Sequence, residues 1–232
     1  MSRNKIVVLT GAGISAESGI NTFRDAGGLW EGHDVMEVAS PQGWAKDMDL
    51  VLEFYNLRRQ QLSEVTFNDG HAALVLMEEH HDVVIITQNV DDLHERAGSK
   101  NVIHLHGELR KVRSVVDEAL ITETNGFIKR GDLATDGYQL RPHIVWFGEM
   151  VPMLETAAKE LIDAEIVIII GTSMQVYPAA GLVAYAPPHA QVIYIDPRPT
   201  ISHELKKAKN LTVIEATATQ GVPRVVKELC EI

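Results

Sequence analysis

Seven short apolar runs, at 6–10, 83–87, 102–105, 144–147, 166–171, 192–195 and 211–214, constrain the fold of this chain more than any other feature. Most are rich in Val and Ile and lack polar alternation, the pattern of strands covered on both faces. Between several of them the apolar residues switch to helical spacing, as at Ala72, Val75, Leu76 and Met77, and again at Leu154, Ala157, Ala158, Leu161 and Ile162. Such alternation predicts an α/β fold built on a doubly wound, Rossmann-like parallel sheet. Ligands of such sheets sit at the carboxyl ends of the strands.

Two stretches break the alternation. Residues 29–70 read helical, with Trp44, Leu50, Leu52, Phe54, Leu57 and Leu62 as apolar positions, and 108–142 forms a second long connection. Connections in compact domains have a median of roughly 4–6 residues, so these two insertions are expected to pack together as a smaller domain. The large domain then comprises 1–28, 71–107 and 143–232, and the small one 29–70 and 108–142.

The charge balance, 21 basic against 32 acidic residues for a net charge of −11, argues against broad phosphate-backbone contacts, and no nucleic-acid partner is expected. No apolar run approaches the roughly 20 residues of a membrane-spanning helix. The start MSRNKIVVLTGAGIS has no signal-peptide apolar core. A cytoplasmic, monomeric protein without a membrane partner is the expectation. One cysteine, Cys230, allows neither an internal disulfide nor a cysteine-rich zinc module.

The first strand runs into Gly11-Ala12-Gly13-Ile14-Ser15-Ala16-Glu17-Ser18-Gly19. Small residues there let the backbone approach a pyrophosphate, and a helix starting there would offer its N–H groups. The spacing fits a plain strand-to-helix turn equally well, because the third glycine comes late, at Gly19. Downstream stand Ile20-Asn21-Thr22-Phe23-Arg24-Asp25, Thr87-Gln88-Asn89-Val90-Asp91, His104-Leu105-His106-Gly107, Val145-Trp146-Phe147-Gly148-Glu149 and Gly171-Thr172-Ser173. In this order and spacing, from Lys5 to Leu229, the chain resembles the sirtuins, NAD-dependent protein lysine deacylases. Its stretches GAGISAESGI, GGLW, FYNLRR, TQNVDDLHERAG, LRPHIVWFGE and VYPAAG are most similar to the class that removes acidic acyl groups.

The resemblance implies NAD as cofactor, acyl-lysine proteins as substrates, and specific roles. Gly11, Ala12, Gly13, Ser15, Glu17, Thr22, Phe23, Arg24 and Trp30 would bind NAD. So would Gln88, Asn89, Val90, Asp91, Gly171, Thr172, Ser173, Asp196, Arg198 and Ala218. Taken alone, Asn89 and Asp91 read as caps of the following helix. His106, with Asn89 and Asp91, would be catalytic: the acyl oxygen attacks the anomeric carbon as nicotinamide leaves, and a base then takes a ribose hydroxyl proton. Histidine titrates in the range that this task needs. His104 shares its strand face, and a His-x-His metal pair finds no third ligand nearby. Tyr55 and Arg58, three apart on a helix, would receive the carboxylate of succinyl- or malonyl-lysine. Ala16 would leave room for the larger acyl group, while Val145, Phe147, Gly148, Glu149 and Val151 would offer a strand edge to the substrate peptide.

Two departures stand out. Asp196-Pro197-Arg198 occupies the place of the family's Asn-x-Glu, which reverses a charge. Most sirtuins also hold a structural zinc on two cysteine pairs, whereas 108–140 contains no Cys or His, so no zinc is expected. Ser114 stands at the first cysteine position and Asp136-Gly137 near the last pair. A hairpin of 109–116 with 119–124, anchored by Phe127, Ile128, Leu133 and Tyr138, is the expected replacement. Two other activities stay open: ADP-ribosyl transfer or NAD hydrolysis, and non-catalytic NAD sensing.

Overall fold

The structure, a computed structural model, describes residues 3–21 and 29–231. Six parallel strands form the main sheet: β1 (Lys5–Thr10), β4 (Asp82–Thr87), β5 (Val102–His104), β9 (Ile166–Ile170), β10 (Gln191–Asp196) and β11 (Leu211–Glu215). Their order is β11-β10-β9-β1-β4-β5. Central β1 pairs with β4 on one side and β9 on the other, Ile6 lying opposite both Val83 and Ile166. Helices α4 (Asp69–His80) and α7 (Ala218–Cys230) cover one face, packing Leu74, Met77, Val222 and Val226 against Ile6, Val8, Ile85 and Ile168. The other face meets α6 (Leu154–Leu161) and a 3₁₀ stretch, Ala179–Tyr185, through Ala157, Leu161 and Leu182. Burial on both sides accounts for the unalternating Val and Ile runs. Cys230 belongs to the first of these cores, and burial pushes its thiol pKa up.

A separate antiparallel sheet joins β6 (Gly107–Ser114) to β7 (Ile121–Glu123) and to β8 (Leu140–Ile144). Above it lie the hairpin of β2 (Leu29–Trp30) and β3 (His33–Asp34), the short helices α1 (Val35–Val38) and α2 (Pro41–Lys46), and α3 (Met48–Glu64). The short helix α5 (Leu93–Ala97) follows β4. Asp47 caps α3, accepting from Leu50 N at 3.0 Å. Phe54, Tyr55 and Leu62 of α3 pack with Val38, Leu109, Ile144 and Trp146 into a third core.

Several expectations need correction here. The 144–147 run is no strand of the parallel sheet: Ile144 ends β8, and the chain turns at once, with Glu149 N donating to Trp146 O at 3.0 Å. Residues 29–34 form a hairpin rather than a helix, and Leu57 faces out at 43% exposure. Hairpin β6–β7 forms where expected, Lys111 opposite Glu123. Of its four proposed anchors only Ile128 is buried, since Phe127, Leu133 and Tyr138 are 62%, 57% and 52% exposed. Polar bonds pin this segment instead. Asn56 accepts from Ile128 N at 3.0 Å and donates to Ile128 O at 2.9 Å, while Ser114 Oγ donates to Asp136 at 2.6 Å.

Candidate active site

Strand order changes direction at β1: the chain runs outward through β4 and β5, then returns to build β9, β10 and β11 on the other side. A crevice forms outside such a switch point. Here it is a cavity of about 400 Å3, walled by Gly11, Ala12 and Gly13 after β1, Gln88–Asp91 after β4, His106 after β5, and Gly171–Ser173 after β9. Two short 3₁₀ turns, Ala12–Ile14 and Ala16–Ser18, follow β1 where a helix start was expected. The glycines bring two strand ends together. A Cβ on Gly13 would lie 2.5 Å from Gly171 Cα, and Gly171 itself has φ 59°.

Asn89 and Asp91 of this wall are joined through Ser15 in a buried polar chain. Asn89 Nδ2 donates to Ser15 Oγ at 3.2 Å, and Ser15 Oγ donates to Asp91 Oδ2 at 3.0 Å. Leu93 N donates to the other Asp91 oxygen at 3.2 Å, so Asp91 does serve the start of α5; Asn89 does not. Burial pushes Asp91 up to about 6, against the bonds from Leu93 and Ser15 and the charge of His104. Gln88 Nε2 crosses the crevice to Thr172 Oγ1 at 3.0 Å. Glu17, on the wall, is held below the usual carboxylate range: burial works the other way, but Thr219 N and Oγ1 donate to it at 2.9 and 2.6 Å.

His106 Nδ1 donates to Gln88 O at 3.0 Å. Burial depresses its pKa, partly offset by that bond. The ring is therefore neutral near pH 7, with Nε2 as its basic nitrogen.

On the opposite wall stand Ala16, Val145, Phe147, Gly148, Glu149 and Val151. The strand edge expected of the last five is irregular and turns at 147–149, and Glu149 is engaged by Arg141 at 2.7 Å and by Trp146 N at 2.8 Å. Arg58 lines a smaller cavity of about 40 Å3 with Glu31 and Gln61, which shares Ile20, Trp30, Val90 and Asp91 with the large one. Its buried Nε has no hydrogen-bond partner among the described residues, and its guanidinium lies 5.0 Å from the Phe54 ring centre. Burial lowers the Arg58 pKa while Glu31 raises it.

Tyr55 reaches neither cavity: it is fully buried, and its hydroxyl accepts from Trp146 Nε1 at 3.0 Å. Ser15 and Ala218 also lie behind the wall, with Thr217 in front of Ala218. Asp196 is buried and Arg198 exposed, and both line the cavity. Thr22, Phe23 and Arg24 fall outside the described residues. The wall also includes Asn21, Trp146, Tyr177 and Thr217, to which the sequence pattern assigned no role. Asn21 directly follows the glycine-rich turn, and Thr217 directly precedes Ala218, so position was the available signal for both. Among the described residues no group of three or more His, Cys, Asp or Glu side chains could hold a metal ion.

Comparison with known proteins agrees with this geometry. The Sir2 family model matches residues 11–178. A Helicobacter pylori protein named NAD-dependent protein deacylase is 54% identical over 227 residues, covering 98% of both chains. A Bacteroides thetaiotaomicron protein of the same name is 52% identical over 94% of both chains. A solved Sir2 homologue–NAD complex superposes with TM-score 0.85 at 38% identity, covering 97% of this chain and 89% of the other. Sir2 bound to acetylated peptide gives TM-score 0.80 at 29% identity, covering 96% and 92%. The chain belongs to the Sir2 family.

Proposed function

We propose that this NAD-dependent protein deacylase removes succinyl and malonyl groups from lysine side chains, and acetyl groups as well, giving nicotinamide, free lysine and 2′-O-acyl-ADP-ribose. The observation that carries the acyl preference is Arg58, a half-buried guanidinium whose Nε has no partner among the described residues, in a small cavity beside Asp91. An acyl carboxylate entering there would meet charge-assisted donors. In a chain of net charge −11 such a local cation is what an anionic group requires.

The residues present fit NAD. The close-packed glycine turns leave a wall without side chains for a pyrophosphate, and Asp196 at the end of β10 offers a carboxylate to a ribose. Bound NAD supplies an ADP-ribosyl group with nicotinamide as its leaving group. His106 Nε2 takes the ribose hydroxyl proton, its tautomer set by Gln88 O. Asn89 and Asp91 hold the polar floor of the pocket through Ser15. Tyr55, tied to Trp146, buttresses α3 beneath Arg58 and would meet the acyl group only after its hydroxyl turned from that partner. The two-insertion domain division and the absence of zinc belong to the same reading, with the Ser114–Asp136 bond replacing a metal tie; elemental analysis should find far less than one zinc per chain.

A panel of acetyl-, succinyl- and malonyl-peptides with NAD tests the reading. Arg58→Met should lower kcat/KM for the two acidic peptides by roughly 10- to 100-fold, the scale of a lost charge-assisted hydrogen bond. It should spare the acetyl peptide. Unchanged desuccinylation would remove the carboxylate assignment, and ADP-ribosylated acceptor protein without acyl-ADP-ribose would favour ADP-ribosyl transfer.

A further inference from the structure

The chemistry proposed above uses His106 and leaves its neighbour His104 unexplained. His104 ends β5 with its side chain 8% exposed. Its Nδ1 lies 3.1 Å from Asn89 O, and its Nε2 lies 2.7 Å from Glu95 Oε1. A carbonyl and a carboxylate can only accept, so both ring nitrogens carry protons and the ring is an imidazolium. Burial opposes that charge, but the bond to Glu95 and the fields of Glu95 and Glu108 raise the His104 pKa. Glu95 is held low, burial being outweighed by His104. The titratable groups that face this ring are Glu95 and His94 from α5, Glu108 from β6, and Asp91 from the loop between β4 and α5.

That loop is tied at each step. Gln88 N donates to Thr10 O at 2.9 Å, and Asn89 N donates to Thr87 Oγ1 at 3.0 Å. Gln88 O accepts from His106, Asn89 O from His104, and Val90 O from Leu109 N at 2.8 Å. Two histidines of one His-x-His unit thus hold consecutive carbonyls. Among the described residues, His104 alone of the pair has a carboxylate on its second nitrogen. It is therefore the one that brings a fixed positive charge next to Asp91, a carboxylate 5% exposed whose bonds come from the neutral donors Ser15 and Leu93.

We infer that His104 is a positioning residue: kept charged by Glu95, it anchors the Asn89 carbonyl so that residues 88–91 present Asn89 and Asp91 to the cavity, and its charge balances the buried Asp91 carboxylate. This rests on Asn89 and Asp91 serving the deacylase chemistry. His104→Gln removes the charge while keeping an N–H donor. Glu95→Gln keeps a hydrogen-bonding partner but removes the anion that holds the second proton.

Nicotinamide release from an acetyl peptide, followed against pH in folded variants, should show the acidic limb of kcat/KM moved to higher pH by roughly half a unit to one unit in both. Ring 15N NMR of the wild type should find His104 doubly protonated at about pH 7.5, and singly protonated there in Glu95→Gln. If His104→Gln does not fold, Glu95→Gln decides. An acidic limb that superposes on wild type in Glu95→Gln, or a neutral His104 ring in the wild type at that pH, overturns the inference. A merely structural histidine would lower melting temperature without moving either readout. A wild type that releases no nicotinamide would instead defeat the deacylase reading, and the NMR titration would still decide the charge of His104.

Discussion

The carbonyl of Gln88 fixes the tautomer of His106, accepting from its Nδ1 at 3.0 Å. The same bond leaves Nε2 as the nitrogen that can take a proton, and burial keeps the ring neutral near pH 7. His106→Ala should therefore lower steady-state formation of deacylated peptide by about 100-fold or more, the usual scale for a general base. Its melting temperature should stay near wild type. Deacylation at the wild-type rate would remove His106 from the chemistry.

Gly13 and Gly171 make a second prediction. A Cβ at Gly13 would meet Gly171 Cα at 2.5 Å and Gly171 O at 2.8 Å, all backbone. The ends of β1 and β9 would have to part, which costs roughly 1–3 kcal/mol in a packed interior. Gly13→Ala should lower the melting temperature by roughly 2–4 °C per kcal/mol for a chain of this size. It should also raise the KM for NAD, because the turns after β1 and β9 would separate. An unchanged KM for NAD would show that this turn does not shape the nucleotide site.

The parallel sheet was legible because β1, β4, β9 and β10 are buried on both faces, so their Val and Ile runs carry no polar interruption. The same signal misassigned 144–147. Ile144 and Trp146 are equally buried, but in the core under α3, and an apolar run does not say which core receives it. Gly11, Gly13, Gln88, His106 and Gly171 were readable as a site because each lies at or just beyond the end of a strand of that sheet. Tyr55 was not. Its partner Trp146 lies 91 residues away, and only tertiary packing shows that the hydroxyl is already engaged. Phe127 and Tyr138 misled for a related reason: backbone bonds from Asn56 and the Asp136 turn hold their segment, so it has no need of apolar anchors.

Asn56 therefore carries more of the small sheet than its polarity suggests. It is 5% exposed, satisfies both backbone groups of Ile128, and accepts from Arg59 Nη2. Asn56→Ala would strand the buried N–H and C=O of Ile128 and take one acceptor from Arg59, whose pKa burial already lowers to about 10 and which keeps the carbonyls of Gly126 and Leu109. The expected loss is about 1–3 kcal/mol, read as a lower midpoint in urea denaturation. A chelator added to the wild type should leave that midpoint where it is. If chelation lowered it as much as Asn56→Ala does, a metal would be bracing this segment.

Acid should weaken the protein through histidines buried in neutral form. Burial lowers His71 to about 4, burial and the charge of Arg113 lower His143 to about 4, and burial takes His94 well below its ordinary value. Each also keeps one buried ring nitrogen without a partner among the described residues: His71 Nε2, His94 Nδ1 and His143 Nδ1. Their folded-state pKa values lie below the unfolded 6.5. The unfolded chain therefore binds protons first, and the stability they contribute is complete above that pH and lost as pH falls toward 4. Burial lowers His106 in the same sense, while Asp91, raised to about 6, and His104, raised by Glu95, act in the opposite sense, so four groups oppose two. Unfolding free energy should fall by about 2–4 kcal/mol between about pH 7.5 and pH 5. Replacing His71 with Gln should flatten that slope. A denaturation midpoint that does not change across this range would mean that these rings are not held neutral in the folded chain.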